Sequence, residues 1–331
     1  MERPTTILRR SVHTFLRDYH FFTSIAAVLA MPFSASILLS QSSPPLATWP
    51  VHGHLWALFK AAGFPSSRLV SLLCLKLSQI VSSFSFTLPC SLTFLLISKA
   101  AVILFLCHRS LTFSLSSFLQ TYRPLFLTYI CNSLVIISVN AAAFGTFFFA
   151  FSCLEEIRLQ SSSSTLFLSA FGAVFYSVIL AHALVVCNFA LVLSGTERFG
   201  GFDAILKARV LIRDSVPLAL FLAIPLNLGW AGIEALFQYR VERAYRVTKG
   251  PSFTVALEGL FISYLYSILI VLDTIVTFVF FKSCKLYNYH QLLCSKLEYG
   301  FSWPIDVPEE EIKNQSLDGP EKIEAFSGES H

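Results

Sequence analysis

The sequence predicts an all-α, polytopic transmembrane helical bundle, and three observations lead there. Six continuous apolar stretches, each of 20 residues or more, run along the 331 residues at 21–40, 86–107, 125–154, 165–193, 216–237 and 253–281. A helix needs about 20 apolar residues to cross the ~30 Å hydrocarbon layer, so every stretch is long enough. Apolar residues form 55% of the chain and charged residues 13%, against about 25% charged in a soluble domain. Inside lipid each backbone N–H and C=O must be paired internally, which leaves helices or closed barrels. The stretches lack the alternation of barrel strands, so helices remain.

The elements follow in chain order. Residues 1–20 form a basic N-terminal helix in which Arg10, His13 and Arg17 share one face, with Arg9 beside them. Leu8, Val12 and Phe15 make a neighbouring apolar face, the pattern of a helix lying in the headgroup layer. The first span has full transmembrane length and is expected to be retained, since a signal peptide has a shorter apolar core. It contains Pro32 and is followed by a long connector at 41–85. There 54–62 reads as an interfacial turn of helix anchored by Trp56, and 68–82 either lies on the surface or extends the second span. A basic helix returns at 205–214, where ILKARVLIRD echoes ILRRSVHTFLRD at 7–18, and Pro225 then matches Pro32. The stretch 110–123 occupies the corresponding place before the third span. The spans thus group into three hairpins, each preceded by a cytoplasmic interfacial amphipathic helix. The expected organisation is a helix at 1–20, a membrane domain at 21–282, a juxtamembrane segment at 283–303 and an acidic, disordered tail at 304–331.

Six spans place both termini on one side. That side carries 15 Lys and Arg against eight on the other, with Lys99 inside a span. Cytoplasmic loops are rich in Lys and Arg, so both termini are expected in the cytoplasm of a membrane the sequence does not specify. The net charge of +4 is too small to suggest nucleic acid. The expected partners are the lipid bilayer, anionic headgroups and, as a packed bundle allows, other proteins or a second copy of the chain. The eight cysteines are scattered without a CxxC pair and serve as small apolar fillers.

Ionisable groups inside lipid are costly and become functional candidates. Lys99 in the second span and Asp273 in the sixth have opposite charge at similar depth. Paired, they lock two helices together; unpaired, either belongs to an ion or proton path. His182 is central in the fourth span, and Glu234 and Glu258 lie nearer the ends of the fifth and sixth. Asn132, Asn140, Asn188 and Asn227 suit either helix packing or a polar cavity. The intramembrane candidates are therefore Lys99, His182, Asp273, Glu258, Asn140 and Asn188. The lipid-facing basic candidates are Arg9, Arg10, Arg17, Lys207, Arg209 and Arg213. Gly200 and Gly201 read as a hinge before the second basic helix, or as exposed amides for an anion. There is no HExxH, Walker-type glycine loop or GxSxG, so no catalytic residue, metal ligand or cofactor is nominated.

The stretch at 183–214, ALVVCNFALVLSGTERFGGFDAILKARVLIRD, resembles a family of uncharacterised plant multi-pass membrane proteins. GFPSS at 63–67, KLSQ at 76–79, FTLPCSLTFLLISKA at 86–100 and EALFQYRV at 234–241 add to that resemblance. The ERFGGFDAILKARVLIRD portion is also similar to six-span prokaryotic membrane domains, such as those fused to some glycerophosphodiester phosphodiesterases. The resemblance implies six spans with interfacial helices and brings no activity. Two functions are expected from these readings: a non-enzymatic lipid- or partner-organising protein, or a small-solute or ion transporter built on the intramembrane Lys, His and Asp.

Overall fold

The computed structural model describes residues 3–41, 45–61, 68–108, 115–156, 162–244 and 253–299. Among these residues, six helices are long and apolar enough to cross a membrane: Tyr19–Ser40, Leu77–Cys107, Ser116–Phe147, Ala170–Glu197, Phe202–Glu242 and Phe253–Tyr289. The protein is an all-α polytopic membrane bundle. The chain divides into two compact units, 1–287 and 288–331. The first holds all but the last residues of the bundle, and in the second the described residues 288–299 are helical. The tail at 304–331 and the start of the third basic stretch, 110–114, lie outside the described residues.

Helix α1 (Pro4–Arg17) opens with proline at its first position, where a missing N–H costs nothing. It stops because Asp18 leaves helical geometry, at φ −110° and ψ 36°. The first span follows as α2 (Tyr19–Ile25), a π-helical turn at Ala26–Ala30, and α3 (Met31–Gln41). Pro32 sits in the first turn after the π segment, so the span is locally widened there. Helix α4 (Pro45–Ala61) packs on α5 (Arg68–Cys90). Helix α5 runs into the second span through Pro89, a second π turn at Ser91–Leu95, and α6 (Leu96–His108). The stretch 68–82 therefore extends the second span rather than lying apart from it. The two π turns pack against each other.

The third span is one unbroken helix, α7 (Leu115–Glu156), which packs along α8 (Ser162–Glu197). This corrects the expectation of a third separate interfacial helix. From Leu115 onward the segment continues straight into the span, because Pro124 is accommodated inside the helix and no Arg-Asp break precedes it. Helix α9 (Phe202–Ile212), a 3-10 turn at Arg213–Ser215 and α10 (Val216–Phe237) repeat the α1–break–span plan. Helix α11 (Phe253–Tyr299) contains the sixth span.

The larger apolar core joins α1, α2 and α6 through α11 around Phe22, Phe105, Phe189 and Phe281. Phe21 stacks on Phe105 with centroids 4.0 Å apart, and Phe189 meets Phe280 and Phe281 edge-on. In lipid the tails are as apolar as the side chains, so this close packing and a few interhelical hydrogen bonds hold the helices together. A smaller core around Phe33, Leu38, Phe237 and Tyr266 lies towards the ends of the first and fifth spans. Phe171, Val174, Phe175 and Val178 are exposed on the fourth span, as a lipid-facing surface requires.

Candidate functional site: a buried polar cluster and two interfacial helices

Three spans place one polar side chain each at a common point. Lys99 comes from α6, Asn188 from α8 and Asp273 from α11. Lys99 Nζ lies 3.8 Å from Asp273 Oδ2 and donates to Asn188 Oδ1 at 3.5 Å. Both charged side chains are less than a tenth exposed. Lys99 stands eight residues before Cys107, and Asn188 nine before Glu197, so both sit at similar depth below the same rim. A cavity of about 50 Å³ adjoins them, bordered by Asn188, Asp273 and Thr277 and otherwise by apolar side chains such as Phe189 and Leu222. That is room for a water molecule or two.

The other intramembrane candidates do not join this cluster. His182 is half-buried on α8, six residues and so roughly 9 Å along the helix from Asn188. Asn140 accepts a hydrogen bond from Tyr176 of α8 and donates to Ile136 O of its own helix. Glu258 is exposed, about 22 Å along α11 from Asp273, and pairs with Arg240 at 3.3 Å. Asn132, buried, donates to Cys187 O at 2.8 Å and ties α7 to α8, while its Oδ1 has no partner among the described residues. Asn227 donates to Ala223 O of its own helix. Asn132 and Asn140 therefore tie α7 to α8, and of these asparagines Asn188 alone lines the small cavity. Among the described residues no group of three His, Cys, Asp or Glu could hold a metal ion.

On that same rim, the two basic helices bury different faces. Helix α1 buries Ile7 and Ser11 and packs on α10, leaving Arg9, Arg10, Leu16 and Arg17 exposed. Helix α9 buries Ala204, Ala208 and Ile212, which recur every four residues on one face. Its opposite face exposes Phe202, Leu206 and Val210, with Arg209 and Arg213 exposed alongside. The repeat is thus one of sequence and chain direction, since Arg10 is exposed whereas the aligned Ala208 is buried. Lys207 does not stand free: it bonds Glu197 at the end of α8 and lies 4.6 Å over the Phe199 ring. Glu197 also takes Lys285 of α11 at 3.7 Å, so one carboxylate joins three elements.

The turn before α9 is packed closely against α7. Arg198 takes a left-handed conformation (φ 59°) and donates to Gln120 Oε1 at 2.8 Å. Gly201 has φ 84°, and its N–H donates to Thr128 Oγ1 at 3.0 Å, so its amide is already spent on α7. At Gly200 an added Cβ would stand 2.5 Å from Pro124 O. These glycines are needed because the turn docks flush on the backbone of α7. Reading the two glycines as a flexible joint missed this; the paired Gly-Gly was the available signal, but its partner Pro124 is 76 residues away.

A packed bundle with a buried ion pair and amphipathic helices at one rim defines a multi-pass integral membrane protein. Within that class the chain belongs to the family described as a domain of unknown function, DUF8558, whose model matches residues 4–299. It matches no curated protein and no solved structure.

Proposed function

We propose that this is a non-enzymatic integral membrane protein that gathers anionic lipid at the rim where α1 and α9 lie, and that this rim faces the cytoplasm. The observation that carries the reading is the exposed face of α9. Phe202, Leu206 and Val210 form an apolar ridge for the acyl boundary, and Arg209 and Arg213 stand beside it at headgroup level. Arg9 and Arg10 of α1 add exposed cations on the same rim. Each such cation contributes about 1 kcal/mol beside an anionic leaflet, an effect that salt screens. The Lys/Arg excess on this side supports the cytoplasmic assignment. The competing reading, a small-solute or ion transporter, has weaker support. His182 stands apart from Lys99 and Asp273, and the space beside them fits water rather than a solute.

The test replaces Arg9, Arg10, Arg209 and Arg213 together with Gln and leaves Lys207, which bonds Glu197, untouched. Protein in nanodiscs of mixed phosphatidylcholine and phosphatidylserine is analysed for retained lipid by native mass spectrometry. The wild type is expected to retain phosphatidylserine above its bulk share, and the variant to fall towards that share. A folded variant that retains as much phosphatidylserine as the wild type sinks the reading.

A further inference from the structure

At the opposite end of the spans, a cleft of about 540 Å³ opens between the first, second and fifth spans. Its polar lining is Ser40 of α3, Gln79, Ser83 and Thr87 of α5, and Glu234 and Gln238 at the end of the fifth span. The spacing explains how it is built. Gln79, Ser83 and Thr87 are four residues apart and share one helix face, as do Glu234 and Gln238. Clefts of this volume suit small ligands or headgroups.

The hydrogen bonds decide what the lining offers. Each hydroxyl has one proton to give, and all three hydroxyl protons have protein acceptors. Ser40 donates to Ile37 O at 2.7 Å, Ser83 donates to Ser40 Oγ at 3.0 Å, and Thr87 donates to Ser83 O at 3.0 Å. What remains on these oxygens is lone pairs. Glu234 adds a carboxylate, which only accepts, and has Tyr266 as its hydrogen-bonding neighbour within the bundle. Among the described residues no Lys or Arg lines the cleft. The nearby Arg240 is engaged by Glu258. Among the described residues the cleft is therefore rich in acceptors and carries one carboxylate, that of Glu234.

We propose that this cleft binds a primary ammonium group, with Glu234 as counter-ion and the Ser83 and Thr87 oxygens as neutral acceptors. A primary ammonium brings three N–H donors and a positive charge, the complement of this lining. A quaternary ammonium brings the charge without donors and leaves the acceptors unmatched. The Gln79 and Gln238 amides are the remaining donors, suited to a phosphate or hydroxyl next to the amine. The ammonium belongs either to an aminophospholipid headgroup or to a water-soluble amine. The site differs from the anionic-lipid rim in both position and charge, so either proposal can fail without the other.

The experiment uses the full chain in phosphatidylcholine nanodiscs, with melting temperature and native mass spectrometry as readouts. In one arm phosphatidylethanolamine replaces part of the phosphatidylcholine. In the other, glycerophosphoethanolamine is titrated, with glycerophosphocholine as its quaternary control. Binding and thermal stabilisation by the primary amine over its choline counterpart are expected, and the responding arm identifies the source. Glu234→Gln is expected to weaken that binding about tenfold or more, equivalent to at least ~1.4 kcal/mol. Thr87→Val, which removes an acceptor without touching the charge, is expected to weaken it less and serves if Glu234→Gln fails to fold. Equal response to primary and quaternary amines in the wild type overturns the proposal. So does undiminished binding in a folded Glu234→Gln protein.

Discussion

Replacing Asp273 by Asn strands the charge of Lys99 in the bundle interior, and the structure sets the size of the effect. Two opposite charges 3.8 Å apart attract by about 4 kcal/mol at an effective dielectric near ~20. Each side chain is less than a tenth exposed, and the small cavity beside them holds a water molecule or two at most, far from the hydration either charge has in bulk water. Removing one partner of such a buried pair typically destabilises by about 3–5 kcal/mol, whereas replacing both with apolar groups is often neutral or better. Asp273→Asn and Lys99→Met are each expected to lose about 3 kcal/mol or more. The double change Lys99→Met with Asp273→Leu should return to within ~1 kcal/mol of the wild type. The assay is reversible unfolding in mixed micelles, analysed as a double-mutant cycle. Single variants as stable as the wild type would refute the structural role of the pair. A double variant as unstable as the two losses summed would refute the coupling.

Two further outcomes follow from the same geometry. Gly200→Ala drives a Cβ to 2.5 Å from the backbone oxygen of Pro124, which cannot step aside as a side chain would; a loss of about 2 kcal/mol or more is expected, read as a lowered melting temperature. Asn132→Leu loses the bond to Cys187 O but also removes a buried Oδ1 that has no partner among the described residues. Its net effect is expected below ~1 kcal/mol in the same unfolding assay, because such ties average ~0.6 kcal/mol in membranes.

The bundle itself was legible because its cause is local. Hydropathy over 20 residues decides whether a segment can leave water, so all six spans were visible in the linear order. The repeated basic stretches at 7–18 and 205–214 likewise marked helices ahead of the first and fifth spans, and the structure ends each of them at an Arg-Asp pair. Continuity from Leu115 into the third span was less visible, because helix breaks in lipid depend on whether neighbours re-pair the backbone. Glu258 looked intramembrane by position, yet Arg240 meets it at an exposed rim.

The sequence by itself determined the solvent, the number of spans, the presence of basic helices and the opposite charges of Lys99 and Asp273. Tertiary structure alone decided which polar groups share a point in space. It brought Asn188 to Lys99 and sent His182 elsewhere, set Gly200 against Pro124, joined Glu197 to two lysines, and gathered the acceptors around Glu234. The physical reason is that burial from water depends on composition within one segment. Pairing depends on the rotation and depth of helices far apart in the chain, which close packing sets and hydropathy leaves free.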